Sequence, residues 1–450
     1  MAINWKAFVP QYKISWKLAY PVMVGQLGQI MVSVADSIMV GRLLGTHPLA
    51  GISFAISILI VPMVFAIGIA YGLTPFVAGA DGANKPEDAT KYLKNGLVLN
   101  IATGIAMTLI IWLSTYFLDA FGQDPEVVFH AKPYILLVGS SLIPMMGYFA
   151  FKQFAEGLSD TKAAMRVSIV CNLLNIALNY PLITGWGPFP ELGLMGAALS
   201  TFSTRILMML GMIAYVRWMP KFKAYWTHWR TNSIEWSTLR EIWTVGAPSG
   251  LQFVFEAGAF GASGVIVGMI GAKPQAAHQI ALNIASISYM IVSGLGASAT
   301  IRVGNQLGKR DFPTLRLAAQ SIYHLTGGLM AITMTVLIVF REYLPTFYSQ
   351  DAEVLAMCTP LMIAAGIFQF PDGYQATSLG TLRGIKDMRV PTVIAFFSYW
   401  VFALPLCYFL GVVAGYGALG VWIGLTGGLT VASIALYRRF QSRVNTLQES

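Results

Sequence analysis

Three carboxylates stand in stretches otherwise fit only for lipid or a packed core. They are Asp36 in QIMVSVADSIMVGRLLG (29–45), Glu256 in SGLQFVFEAGAFG (249–261) and Asp372 in AGIFQFPDGYQATSLG (365–380). A charge at the centre of a membrane helix costs about 2.5–3.5 kcal/mol on the insertion scale, so such residues face a bundle interior or a water-filled cavity. An acid there can take up and release a proton or hold Na+ while ionised, which is the chemistry of a coupling-ion site. Each acid belongs to a polar stripe at helical spacing: Gln26, Gln29, Ser33 and Asp36; Ser249, Gln252, Glu256 and Ser263; Gln369, Asp372 and Gln375. Two further stripes carry amides without an acid, namely Asn172, Asn175 and Asn179, and Gln279, Asn283 and Ser286 with His278 alongside. Interhelical hydrogen bonding accounts for amides as well as function does. It does not account for the acids, because an amide would glue helices at lower cost. Arg205 is the one cation predicted inside a span; it either pairs with an acid, Asp36 among them, or snorkels between helices.

Other chemistry is poorly supplied. GLGASATIRVGNQLG (294–308) is rich in glycine but closes an apolar segment and follows no strand, so it does not read as a dinucleotide loop. Cys171, Cys358 and Cys407 fall in apolar segments without metal-ligand spacing and read as small buried hydrophobes. No cofactor is expected. A membrane-embedded enzyme, the alternative of another class, would show His, Asp and Glu clustered at catalytic spacing near a membrane face, and the chain lacks that pattern.

The elements that must position the stripes follow from composition. The 450 residues are 56% hydrophobic and 11% charged, with mean hydropathy +0.63, against roughly 25% charged residues in soluble domains. Twelve apolar segments, from 15–41 to 417–438, are long enough to span a bilayer. The period-2 pattern of a membrane barrel is missing, which leaves a helical bundle. Lys and Arg gather at both termini and in every second loop, against only Arg42, Lys132, Lys273 and Arg341 on the other side. Both termini are therefore expected in the cytoplasm. The formal charge of +9 is then a topology signal and implies no nucleic-acid partner. The first apolar segment lacks a small-residue cleavage pattern and is expected to remain as a helix.

The chain also repeats itself. At a shift of 227, YPVMVGQLGQIMVSVADSIMVG (20–41) lies over APSGLQFVFEAGAFGASGVIVG (247–268), so Pro21 meets Pro248 and Gly41 meets Gly268. One residue shorter, the register pairs Gly68 with Gly294, Thr74 with Thr300, Val77 with Val303 and Gly82 with Gly308. Further on, EGLSDTK (156–162) lies over RGIKDMR (383–389). The reading is a six-plus-six duplication: residues 1–218 as one bundle, 219–240 as a basic linker with Trp226, Trp229 and Trp236 at headgroup level, and 241–450 as the second bundle. In this register Glu256 lies over Gln29 and Asp36 over Ser263, so the two halves place their acids two turns apart, about 10.5 Å at 1.5 Å per residue. Parallel repeats of this kind belong to transporter architectures with midplane sites.

The run AHQIALNIAS...GASATIRVGNQLG (277–308), ADSIMVGRLLG (35–45) and GTLRGIKDMRVP (380–391) resemble the bacterial NorM-type branch of the multidrug and toxic compound extrusion transporters. The resemblance covers nearly the whole chain. It implies a V-shaped pair of six-helix lobes in the bacterial inner membrane, exchanging Na+ or H+ for organic, mostly cationic aromatic drugs. Carried over residue by residue, it implies an amino-lobe ion site of Asp36, Asn175 and Asn179. It implies a carboxyl-lobe site, open to Na+, of Glu256 and Asp372 with Gln279 and Asn283 nearby. Gln29, Ser33, Arg205, Gln252 and Gln375 would support these sites or line a substrate cavity. The chain departs from the family at Phe368, where many relatives have a tyrosine one turn before the acid, so a hydroxyl ligand is missing there. The expected partners are small organic cations and membrane lipid, and the expected state is a monomer. A lipid-linked oligosaccharide flippase of the same superfamily is the alternative function; it would favour an Arg-rich cavity.

Overall fold

In the computed structural model the described residues, 5–449, contain helices and connecting turns and no strand. Twelve helices are long and apolar enough to cross a membrane: α1 (Lys6–Leu43), α2 (His47–Gly82), α3 (Pro86–Phe121), α4 (Pro125–Gly157), α5 (Thr161–Thr184), α6 (Leu194–Trp218), α7 (Trp236–Ile270), α8 (Ala272–Gly308), α9 (Phe312–Val339), α10 (Ala352–Gly384), α11 (Arg389–Val413) and α12 (Gly417–Glu449). The chain is a multi-pass integral membrane protein. All three cysteines are buried thiols.

The helices pack as two compact units. One is Val24–Gly250; the other takes the chain up to Met23 and resumes at Leu251. Both changes of unit fall inside a spanning helix, two residues after Pro21 in α1 and two after Pro248 in α7. A proline removes one rung of the helical ladder, and here it does so at repeat-related positions in the two helices.

The duplication is visible in backbone detail. Among the described residues, the non-glycine positions with positive φ are Asn84 (56°) and Arg310 (57°), and Ser159 (61°) and Lys386 (63°). These are two repeat-related pairs, and each closes a helix in the same way. Ser159 N donates to Glu156 O and Asp160 N to Ala155 O, while Lys386 N donates to Arg383 O and Asp387 N to Leu382 O. A left-handed residue that returns two amides to the last carbonyls is a helix stop. Two glycines that the sequence pairs serve the same close approach. A Cβ on Gly157 would come within 2.8 Å of Val77, and one on Gly384 within 2.8 Å of Val303, the valine's repeat partner.

α3 ends in a 3-10 stretch, Thr115–Phe121, and three other helices are broken or widened, each for a local reason. α2 breaks after Tyr71, where Gly72 lies against the backbone of Gly246. α4 is interrupted at Ser141, three residues before Pro144, which has no N–H to offer the preceding turn. α11 widens into π-helix over Phe397–Ala403 and again over Phe409–Val413. Pro405 cannot donate to the carbonyl of Val401, and the upstream backbone opens around that carbonyl.

The helices also run past the apolar windows by which sequence defines them. Lys152, Arg302 and Arg383, assigned to loops by hydropathy, lie inside α4, α8 and α10 and are buried. Each has its own compensation. Lys152 pairs with Glu156 at 3.8 Å, Arg302 donates to Ser15 Oγ at 2.7 Å and to the Gln11 carbonyl at 3.1 Å, and the Arg383 guanidinium sits 5.8 Å over the Phe253 ring.

The linker folds onto its own unit. Lys94 donates to the Asn232 carbonyl at 2.7 Å, and Lys91 pairs with Glu235 at 2.7 Å. Trp226 packs on Trp229 at 5.0 Å and donates to the Val216 carbonyl at 2.7 Å, so these two rings are part of the fold. Trp236 is 80% exposed.

Candidate functional site

In the unit Val24–Gly250 the site is assembled from α1, α5 and α6. Asn179 of α5 donates from its amide to the Asp36 carboxylate of α1. One turn earlier, Asn175 donates to Ser200 Oγ at 3.2 Å and to Thr204 Oγ1 at 3.3 Å, and Ser200 Oγ returns a bond to the Asn175 carbonyl at 3.0 Å. The amide nitrogens are thus occupied, and the side-chain oxygens of both asparagines are left buried without a hydrogen-bond partner. Two amide oxygens and a half-buried carboxylate form an acceptor-only set on three helices. Gln29 and Ser33, further down the α1 stripe, are exposed.

Arg205 of α6 does not join Asp36. Its guanidinium donates to Ser141 Oγ at 2.7 Å and to the Val138 carbonyl at 3.4 Å, with Met63 Sδ at 3.8 Å. The interruption of α4 frees polar backbone and a hydroxyl beside a long cationic side chain, and that local demand is met before a carboxylate on another helix. Of the two roles open to Arg205 in the sequence, the pairing with Asp36 is not made, and the side chain reaches instead from α6 to α4. Tyr134 of α4 stands within electrostatic reach of both groups.

The other unit builds a denser cluster from α7, α10 and α11. Gln252 donates to Glu256 Oε2 at 2.5 Å, one turn along α7. Gln369, Asp372 and Gln375 follow on one face of α10, all buried, with Asp372 3% exposed. Asp372 and Glu256 act on one another electrostatically, and Arg383 acts on Glu256. The side-chain oxygens of Gln252, Gln369 and Gln375 are buried without hydrogen-bond partners. An aromatic layer lies one turn from the acids: Phe260 against Phe368 at 6.0 Å, Phe368 against Trp422 at 5.3 Å, and Trp422 against His278 at 5.9 Å. Gln279 and Asn283, expected near these acids, are on the exposed side of α8 and bond each other at 3.1 Å. Ser263, the repeat partner of Asp36, is buried and bonds the Phe260 carbonyl at 2.7 Å.

Sequence reasoning did not single out Tyr399, Glu156 or Gln153. Tyr399 lies in FFSYWVFALPL (396–406) among aromatics, where the one signal is Pro405 downstream. The Lys152–Glu156 pair with the Gln153–Thr74 hydrogen bond forms a separate buried polar patch in α4 and α2. No group of three or more His, Cys, Asp or Glu side chains among the described residues is placed to hold a metal ion. The polar clusters mix acids with neutral amides, a donor set for protons or hard monovalent cations.

Comparisons with known proteins place these features in context. The MatE family model matches residues 21–181 and again 248–409, once in each repeat, with starts 227 residues apart as the internal register requires. A protein of Rhizobium meliloti named "Probable multidrug resistance protein NorM" is 32% identical over 437 residues, covering 95% of this chain and 93% of the relative. One of the same name from Idiomarina loihiensis is 32% identical over 434 residues, covering 94% and 93%. Among solved structures, the eukaryotic MATE transporter AtDTX14 superposes with TM-score 0.88 at 21% identity over 98% of this chain and 99% of that one. An outward-facing multidrug resistance MATE family transporter of the MOP superfamily superposes with TM-score 0.89 at 20% identity over 98% and 97%.

Proposed function

Because the chain belongs to the MatE family, in which its relatives carry multidrug resistance names, we propose that this multidrug efflux transporter is a secondary antiporter. It exchanges Na+ or H+ for organic, mostly cationic aromatic compounds across a bacterial inner membrane, with both termini in the cytoplasm. The observation that supports this most directly is the pairing of each buried or half-buried acid with amides whose oxygens are left open. Asp36 stands with Asn175 and Asn179, and Glu256 and Asp372 stand with Gln252, Gln369 and Gln375. Such groups cost too much to be kept for packing alone.

The mechanism follows from linkage. An ion that occupies an acid and lowers the affinity for bound drug must itself be bound less tightly when drug is present. Entry of the ion down its gradient then releases drug on the far side. The acids do this work by taking up and releasing the ion beside the open amide oxygens, without covalent chemistry. The flexible thioethers among the 21 methionines suit a substrate surface that accepts many shapes. The flippase reading needs free arginine for a pyrophosphate, and Arg205 is already engaged by Ser141 and Val138.

The test is ethidium efflux from proteoliposomes driven separately by a Na+ gradient and by a pH gradient. Asp36→Asn, Glu256→Gln and Asp372→Asn are each expected to cut gradient-driven efflux at least tenfold while leaving the protein folded. If all three variants export ethidium at the wild-type rate under both gradients, the coupling assignment is wrong.

A further inference from the structure

The corners at which α1 turns into α2 and α7 turns into α8 are built alike. GTHP (45–48) lies over GAKP (271–274) in the repeat register, and DPE (124–126) lies over DAE (351–353). Gly45 and Gly271 precede α2 and α8 with positive φ, 91° and 152°. Asp124 and Asp351 cap α4 and α10: Glu126 N donates to Asp124 Oδ1 at 2.8 Å, and Glu353 N donates to Asp351 Oδ1 at 2.9 Å. Each glutamate is thus fixed in the first turn of its helix, and each meets the basic residue two positions after the glycine. Lys273 pairs with Glu353, and His47 Nδ1 stands 3.5 Å from Glu126 Oε2.

The helix contact behind each pair is shared as well. One turn into α2, a Cβ on Gly51 would come within 3.0 Å of His130 Cβ and 3.4 Å of Ala131 N, so α2 and α4 touch closely. The repeat partners of Gly51 and Ala131 are Ala277 and Cys358, and there the Cys358 thiol donates to the Ala277 carbonyl at 3.9 Å. Against this common frame the basic residue is different in kind. A lysine keeps its charge at any physiological pH, whereas a histidine loses it between pH 5 and 8.

We propose that His47 and Glu126 form a pH-sensitive latch between α2 and α4, closed when the side it faces turns acid, while Lys273 and Glu353 hold the matching corner closed throughout. The ion pair needs the imidazolium, so its hold on α2 is present below the histidine window and lost as pH rises through it. The pair is longer than a hydrogen bond and its side chains are 55% and 58% exposed. It is therefore weak and sensitive to salt, a bias on a mobile corner and not a lock. The other ionisable groups on the segments around the start of α2 are Arg42 at the end of α1, Asp119 and Asp124 before α4, His130 and Lys132 within it, and Glu191 before α6. Among the described residues, Glu126 is the acid that pairs with His47. α1 ends at Leu43, so the latch anchors the helix that bears Asp36. That the latch faces outward rests on the orientation proposed above; on that reading it closes under the acid outside that accompanies an inward proton gradient.

The test is amide hydrogen exchange of the full-length protein in lipid nanodiscs at low salt from pH 5.5 to 8.5, corrected for the intrinsic pH dependence of exchange. It is read on peptides covering the first turns of α2 and of α8. In the wild type, exchange at the start of α2 is expected to rise about two- to fivefold across the window, the size of an exposed ion pair, and exchange at the start of α8 to stay level. His47→Lys should remove the step and keep the slow, acid-side rate; Glu126→Gln should remove it and keep the fast rate. Lys273→His should create a step at α8, and His130→Gln should leave the step at α2 unchanged. A wild-type profile without a step at α2 overturns the latch, as does a step that survives in Glu126→Gln or disappears in His130→Gln. The side is read separately. In intact cells carrying His47→Lys, a membrane-impermeant amine reagent should label the introduced amine, located by peptide mass. Labelling only after the cells are opened overturns the outward placement and the orientation on which it rests, whereas the step in exchange would still establish a latch.

Discussion

Asp36 receives one amide hydrogen bond from Asn179 and, among the described residues, makes no salt bridge, Arg205 being engaged by Ser141. Hydrogen bonds to a charged group are worth about 1.5–3 kcal/mol. Asn179→Leu, which removes that bond together with the open Asn179 side-chain oxygen, is expected to lower Na+ affinity at the Asp36 site by about ten- to a hundredfold, read as a rightward shift of the Na+ dependence of ethidium efflux. Arg205→Ala should do something different. It strips the Ser141 hydroxyl of its donor and leaves the Val138 carbonyl to that hydroxyl alone, so the melting temperature should fall, while the ion dependence of efflux by the surviving protein stays at wild type; a shifted ion dependence would show that Arg205 does communicate with Asp36. The acids were legible in the sequence because a carboxylate in an apolar run has few cheap explanations. Tyr399 was not, because a tyrosine among aromatics reads as packing and its oxygen becomes conspicuous only once the path of α11 is known. For Gln279 and Asn283, spacing gives a shared face of α8 but does not say which way that face turns, and the structure exposes both.

At the scale of elements, the repeat predicts paired behaviour. Gly157 and Gly384 admit Val77 and Val303 at distances that a Cβ would violate. Gly157→Ala and Gly384→Ala should each destabilise by about 1–3 kcal/mol through overpacking, seen as lower melting temperatures of similar size. A loss in one unit alone would show that the close approach is not shared. The linker offers a pH test outside the membrane. The hydrogen bond from Lys91 holds the Glu235 carboxyl below its ordinary value, so the pair favours the folded state at neutral pH and that advantage fades as pH falls through the folded value. Glu235→Gln is accordingly expected to melt below the wild type at pH 7 and level with it once the wild-type Glu235 carboxyl is protonated. Span number, order and repeat were all readable from hydropathy and glycine spacing. The helix ends were not, since Lys152, Arg302 and Arg383 mark a loop by composition while α4, α8 and α10 continue through them. Their charges are met by Glu156, by Gln11 and Ser15, and by the Phe253 ring, none of which a hydropathy window weighs.

For the whole molecule, the sequence duplication and the packing units do not coincide. The sequence divides near the linker, but the structure trades the first part of α1 and the first part of α7 between units, with changes after Met23 and Gly250. Those positions are themselves repeat-related, so the exchange is a property of the duplicated pattern. A chain cut within 219–240 should therefore give two fragments that each lack part of a unit. Ethidium efflux is expected only when both are made together, and each alone should be degraded; a carboxyl-terminal fragment that folds and melts cooperatively by itself would contradict this.

The exchange also sets a schedule for synthesis. Gln11 leaves the ribosome 291 positions before the Arg302 that binds its carbonyl. At about 5–20 residues per second, that is an interval of roughly 15–60 s. Through that time the leading part of α1 sits in the membrane with Gln11 and Ser15 unanswered, inserted but unassembled, while the unit made in between can already close. The leading part of α1 is thus made before the unit it joins and finds its place only after the intervening unit can close, and quality-control proteases have their best opportunity there.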